Sequence, residues 1–228
     1  GQELDTLSYI IAVEELSRVD GSTAATIAAD NSLGISPIKE YGTKEQKEKY
    51  LPLLCKTHLW GFGLTEETAG CDSRGTKSTA RLEDDKWVLN GTKIFITNSA
   101  TPMTLGSTVQ VVSGEKNGKP EFTTFLMEND TPGFTQEPMN RKMMWRASNT
   151  GRLTFNNVEL TNDNMLGAPG QGSHIMLATL DGGRLSIAAM ALGCAQGAYE
   201  MALAYSKERE QFGKQICKFQ AVSFKLAD

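Results

Sequence analysis

Trp87-Val-Leu-Asn-Gly-Thr-Lys-Ile-Phe-Ile96 is the stretch whose reading decides the fold. Its apolar residues follow a period of two, the mark of a strand with one face turned to a core. The same pattern marks Trp60–Leu64, Ser78–Leu82, Leu105–Val112, Glu121–Met127 and Arg152–Leu160. Short turns join several of these runs. Asn117-Gly118 is a strong two-residue hairpin signal, and Glu83–Lys86 is a polar turn. Parallel neighbours need a crossover of a dozen residues or more, so these connections predict antiparallel pairing and argue against a βαβ nucleotide-binding order.

Outward from this β-zone the period lengthens on both sides. Leu7, Ile10, Ile11 and Leu16 recur at helical steps, and Ser22 stands where it can cap an Ala-rich segment. Thr43 with Gln46 reads as a capping box opening a helix that Pro52 limits. This quarter is expected to run helix, loop, helix, helix. After the loop Gly167-Ala-Pro-Gly-Gln-Gly172 a helical pattern holds from Ser173 to about Arg209. Its small residues predict close helix-to-helix approach, and another helix starts near Phe219. The expected class is α+β in three parts: a helical segment over 1–58, an antiparallel β-domain over 59–168 and the first helices of a C-terminal domain over 169–228. The last pattern runs to Asp228 without a cap, which reads as a cut.

Composition narrows the function. The 228 residues are 39% hydrophobic and 22% charged, as in an ordinary globular protein. Lys plus Arg total 23 against 27 for Asp plus Glu, a net charge of −4 with no basic cluster, which argues against nucleic acid. Cys55, Cys71, Cys194 and Cys217 form no CxxC pair, and His58 and His174 lack neighbours at metal-ligand spacing, so four reduced thiols and no metal are expected. The apolar stretch Leu185–Ala198 is too short to span a bilayer.

Five segments carry candidate chemistry. Phe62-Gly-Leu-Thr-Glu-Glu-Thr-Ala-Gly-Cys-Asp72 sets hydroxyls, carboxylates and glycines directly after a strand, where backbone N–H groups can meet a polar cofactor; on spacing alone it is also an ordinary strand-end loop. Ile94-Phe-Ile-Thr-Asn98 ends a strand in an aromatic and a hydroxyl-amide pair, suited to a flat heteroaromatic ring or to a plain core strand entering an Asn turn. Asp181 and Arg184, three apart on a helix, can pair with each other or orient a ligand. Gly170-Gln-Gly172 matches no phosphate-loop pattern. Glu208–Lys214 places charges before Gly213, as in a C-capped helix end. Neither His lies in a GxSxG context, which disfavours a Ser-His-Asp triad, and Asn90-Gly-Thr92 is a turn more than a glycosylation sequon.

Taken in order, Leu64-Thr-Glu with Ala-Gly-Cys-Asp72, Asn90-Gly-Thr-Lys-Ile-Phe-Ile-Thr-Asn98, Leu180-Asp-Gly-Gly-Arg184, and Arg209-Glu-Gln-Phe-Gly-Lys214 with Gln220 strongly resemble the acyl-CoA dehydrogenase family, nearest its short-chain, butyryl-type branch. The resemblance implies FAD-dependent removal of hydrogens from Cα and Cβ of an acyl-CoA thioester in fatty acid β-oxidation, giving the trans-2-enoyl-CoA. Electrons would pass to an electron-transfer flavoprotein. In the family a glutamate takes the α-proton, the β-hydrogen leaves as hydride to the flavin, and hydrogen bonds to the thioester carbonyl stabilise the enolate-like charge. The alternatives are a non-catalytic flavin or acyl-CoA binding fragment, and a flavin oxidase on the same fold.

Carried over by position, Phe62, Leu64, Thr65, Phe95, Ile96 and Thr97 resemble the flavin-ring contacts. Cys71 stands at a serine position near flavin phosphate and pantetheine. Asp181, Gly182, Gly183 and Arg184 resemble the acyl-CoA channel, while Arg209, Phe212 and Gln220 resemble residues that hold the FAD phosphate and adenine across a subunit interface, implying a homodimer or homotetramer. Three departures stand out: Cys71 for serine weakens one hydrogen bond, Glu67 for proline is expected to loosen its loop, and Met144 replaces a glycine at a turn. The family's base is expected in sequence beyond this chain, so no catalytic residue is assigned. The expected compartment is bacterial cytoplasm or mitochondrial matrix.

Overall fold

The computed structural model describes residues 4–228. Helix α1 (Thr6–Val19) starts where the Asp5 carboxylate accepts the Ser8 N–H at 2.7 Å. It meets α2 (Gly21–Ala29) without a loop, because Asp20 ends the first helix and caps the second by accepting from the Ser22 and Thr23 N–H groups. The cap is therefore Asp20 and not Ser22, which lies inside the helix. A π-helical turn (Asp30–Ile35) leads into α3 (Ser36–Tyr41). The Thr43/Gln46 capping box opens α4 (Lys44–Leu54), which carries Pro52 in its last turn instead of ending there.

The β-region has strands β1 (Leu59–Gly63), β2 (Thr79–Glu83), β3 (Lys86–Thr97), β4 (Thr104–Lys116), β5 (Lys119–Glu128), β6 (Phe134–Pro138), β7 (Thr150–Leu160) and β8 (Met165–Leu166). They form one sheet in the order β6-β7-β3-β2-β4-β5-β8, with β1 also paired to β4. Asn117-Gly118 and Asp84-Asp85 form the turns of the β4–β5 and β2–β3 hairpins, all four residues at positive φ as a type I′ turn requires. The sheet is mixed, not purely antiparallel. β1 runs parallel to β4 from Leu59↔Thr104 to Gly63↔Val109, and β2 touches β4 in parallel at Thr79↔Val112. β1 and β2 thus lie end to end along one side of β4, and the segment between them leaves the sheet from its middle. This interruption shapes the candidate site.

Helix α5 (Gly172–Glu208) has 37 residues, about 55 Å of rod. By length and composition alone it is a candidate to cross a membrane, longer than its Leu185–Ala198 core suggested. Here Ile175 packs with Trp60, Tyr50, Leu126 and Leu166 against the sheet, and Ala189 and Met190 pack with Val13, Ala24, Ala25 and Ala28 of the first two helices. The small residues do bring backbones together. A Cβ on Gly193 would strike the Glu14 carbonyl and the Ser17 hydroxyl, and one on Gly197 the Arg18 carbonyl. Beyond α5, Glu210–Gln211 and Lys214–Gln215 form a small hairpin, β9 and β10, before α6 (Gln220–Ala227). Its turn is Phe212-Gly213, both at positive φ, so Gly213 closes a hairpin and is not a helix cap.

Candidate cofactor site

The segment that leaves the sheet after β1 is held at both ends. The Thr65 carbonyl accepts the Ile94 N–H at 2.9 Å, which sets Leu64-Thr65 beside the last residues of β3. Glu66 and Ala69 close a tight turn through two backbone bonds of 2.9 and 3.2 Å. Glu67, at the first central position of that turn, forms an ion pair with Arg152 of β7. A looser loop is expected with Glu67 at the proline position, but the two Glu66–Ala69 backbone bonds close the turn with Glu67 in it. Asp72 accepts the Arg74 N–H at 3.2 Å, and Cys71 and Gly70 lie exposed at the loop's outer edge.

On the β3 side the pairing with β7 shifts between Lys93 and Ile96, and at this bulge Phe95 sits at φ 59. A bulky residue rarely adopts that conformation, at a cost of roughly 1–3 kcal/mol. The bulge turns the Phe95 ring out to 61% exposure while Ile94 and Ile96 stay buried. The hydroxyls of Thr65 and Thr97 are half-buried and make no hydrogen bond among the described residues, and the buried Asn98 Oδ1 has no partner there either. Asn98 Nδ2 does donate to the Thr26 carbonyl at 2.8 Å, tying the end of the strand to α2.

Sequence reading missed the pair beneath this surface. Lys93, fully buried, donates to Glu66 Oε1 at 2.7 Å and to the Leu64 carbonyl at 3.3 Å. The Glu66 carboxylate also accepts the N–H groups of Lys77 at 2.7 Å and Ser78 at 3.1 Å. Burial pulls the Glu66 carboxyl upward, but the Lys93 charge and these donors outweigh it and hold it below the usual carboxylate range. Burial pushes the Lys93 ammonium down to about 8 against the attraction of Glu66. The signal available in sequence was a lysine between apolar residues of a strand, 27 positions from its partner.

The other predicted residues fall into two groups. Asp181 and Arg184 form an ion pair on α5, 69% and 73% exposed, which adds little stability. Gly183 is buried, with Leu33 Cδ2 2.8 Å from where a Cβ would stand. The π-helical turn carrying Leu33 joins this part of α5 to β1: Ser32 Oγ lies 3.3 Å from Ser186 Oγ, and Asp30 accepts the Trp60 N–H at 2.9 Å. Phe62, Leu64, Thr65, Ile96 and Thr97 are thus gathered around adjoining strands, with Phe95 at the bulge, and Asp181–Arg184 are linked to the start of β1. Arg209, Phe212 and Gln220 are not brought to them. Glu208, the residue before Arg209, stands about 36 Å from Arg184 along the axis of α5. Phe212, 93% exposed, packs edge to face on Phe219 at the far end. Met144 needs no glycine-like backbone, because Arg141 and Trp145 take the positive φ values of that turn.

An eight-stranded sheet flanked by helices on both sides of the chain, opened in its middle by a loop that meets a bulged strand, defines a particular class. The chain belongs to the acyl-CoA dehydrogenase family: the family's N-terminal domain matches residues 1–58, its middle domain 61–158 and its C-terminal domain 170–228. It is 47% identical to the short-chain specific acyl-CoA dehydrogenase of Megasphaera elsdenii over 98% of this chain and 58% of that protein. The solved butyryl-CoA dehydrogenase of the same organism superposes with a TM-score of 0.91 at 46% identity, covering 100% of this chain and 59% of that one. The electron transferring flavoprotein structure of Acidaminococcus fermentans contains a chain matched at 0.93 and 46%, covering 100% and 60%. An acyl-CoA dehydrogenase complexed with FAD from Bacillus anthracis matches at 0.91 and 35%, covering 100% and 39%. The chain therefore spans about 58% of the length of the first of these relatives.

Proposed function

We propose that this chain supplies the flavin-binding part of an FAD-dependent short-chain acyl-CoA dehydrogenase. The observation that carries the reading is the Thr65–Ile94 backbone bond, which sets two hydroxyls without partners, Thr65 in the loop after β1 and Thr97 at the end of β3, beside an outward-facing Phe95. That donor set fits a polar heteroaromatic ring with hydrogen-bonding edges. Leu64, Phe62 and Ile96 supply apolar surroundings, and Gly70, where an added Cβ would meet nothing within 4 Å, leaves room beside Cys71. The chemistry supplied by bound FAD would be acceptance of the hydride that leaves the β-carbon of the acyl chain. Thr65 and Thr97 would hold the ring's polar edge, and Cys71 would lie near phosphate or pantetheine.

Asp181 and Arg184 contribute little to stability where they stand, so their exposed pair is free to orient the acyl-CoA thioester. Arg209, Phe212 and Gln220 would complete the FAD site of a second copy, as the resemblance implies. The carboxylates nearest the site are engaged elsewhere: Glu66 with Lys93, Glu67 with Arg152, Asp72 with the Arg74 N–H and Asp181 with Arg184. Glu66, the buried one, is held by Lys93 and two backbone N–H groups, and the resemblance assigns the base to sequence outside this chain. Electrons would pass to an electron-transfer flavoprotein, in bacterial cytoplasm or mitochondrial matrix.

Anaerobic titration of the FAD-reconstituted protein with butyryl-CoA, following the visible flavin band, tests the reading. Bleaching supports dehydrogenation. Flavin that binds but stays oxidised, while a full-length relative bleaches in parallel, leaves a flavin-binding unit without the chemistry. Failure to bind FAD overturns the reading.

A further inference from the structure

Glu66 and Lys93 gather every strand of backbone that shapes the site, yet neither side chain reaches its surface. Lys93 holds the Leu64 carbonyl at the start of the loop and Glu66 next to it, while Glu66 takes the N–H groups of Lys77 and Ser78 at the loop's end. Lys93 is also the last residue before the register shift that places Phe95 at φ 59. One buried contact therefore joins both ends of the 64–78 segment to the bulge. A pair like this is poor value as stabilisation, since burial of two charges costs about as much as their attraction returns, and apolar replacements are often as stable. What it supplies is one geometry.

Resting on the flavin reading above, we propose that Glu66 and Lys93 are positioning residues of the cofactor site, locking the 64–78 loop against the β3 bulge so that Thr65, Phe95 and Thr97 face the flavin in a single arrangement. The bulge alone could re-aim in either of two registers, because Lys93 and Ile94 are both buried where strict alternation would bury one. In the observed one the ammonium reaches Glu66 and the Leu64 carbonyl together.

The test compares FAD binding to the wild-type chain, Glu66→Gln and the charge-balanced Glu66→Gln/Lys93→Met, by flavin fluorescence and by visible circular dichroism of the bound flavin, with urea unfolding alongside. Glu66→Gln leaves the buried lysine without its counter-charge and is expected to be the less stable of the two, whereas the double variant removes both charges and serves as the folded reference. The expected result is cooperative unfolding near wild type in the double variant, with FAD affinity weakened roughly tenfold and an altered visible dichroism band in every folded variant. Wild-type affinity and an unchanged dichroism band in folded variants overturn the proposal while leaving the flavin reading intact. A wild-type chain that binds no FAD overturns both.

Discussion

Asp30 accepts the backbone N–H of Trp60 at 2.9 Å from inside the π-helical turn, and so carries a buried carboxylate at the junction of α5, the first helices and β1. Burial raises its pKa to about 6, and the Trp60 bond opposes only part of that. The folded state thus holds the proton more tightly than the unfolded chain. The resulting stabilisation is fully present below pH 3.8 and is lost as pH rises through about 6, at a cost of about 3 kcal/mol at neutral pH. Asp30→Asn keeps an acceptor for Trp60 and removes the ionisation. Urea unfolding between pH 4 and pH 8 is expected to show a flatter stability profile for the variant, most clearly across the pH 4–6 interval; parallel profiles would refute the assignment.

The glycines of α5 separate cleanly. Gly197→Ala gains about 1 kcal/mol of helix propensity but drives a methyl group into the Arg18 carbonyl, so a net loss of about 1–2 kcal/mol is expected. Gly182→Ala meets nothing within 4 Å and is expected to gain about 1 kcal/mol. Opposite signs in the urea midpoints of the two variants are the check.

Phe95 pairs backbone strain with exposure. Asparagine tolerates positive φ far better, and the ring gives up little packing, so Phe95→Asn is expected to raise stability by about 1 kcal/mol. FAD affinity should fall in the same protein. A variant that is both less stable and equally tight for flavin would show that the ring is a packing residue.

Cys71→Ser replaces a weak thiol donor with a hydroxyl at an exposed position. Stability should change by less than about 0.5 kcal/mol, and FAD or acyl-CoA affinity should rise a few-fold in a titration. No change in either ligand's affinity would remove Cys71 from the site.

What could be read from sequence was what local chemistry encodes. Asn117-Gly118, the Thr43/Gln46 box and the long helix before Arg209 each carry their signal within a few residues. Two mistakes were also local: Asp20 and Ser22 are both good caps two positions apart, and Gly213 suits a helix end as well as a hairpin. β6 carries no strand signal of its own, because Phe134–Pro138 has one buried residue, Phe134, and ends in proline. The parallel β1–β4 pairing and the Glu66–Lys93 contact were invisible for a different reason. Their partners lie tens of residues apart, and only the assembled sheet brings them together. The proposed flavin-site positions rest on the family resemblance, whereas the buried pair beneath them is visible only in the folded chain.

The length of α5 carries a consequence for mixtures of variants. If each FAD site draws Thr65 from one copy and Arg209 from the other, a subunit altered at Thr65 and a subunit altered at Arg209 fail alone in every site they build. Combined in a mixed dimer, they leave one of the two sites with both native residues. Two defective genes would then rescue each other, and the fraction of flavin recovered would count the hybrids formed.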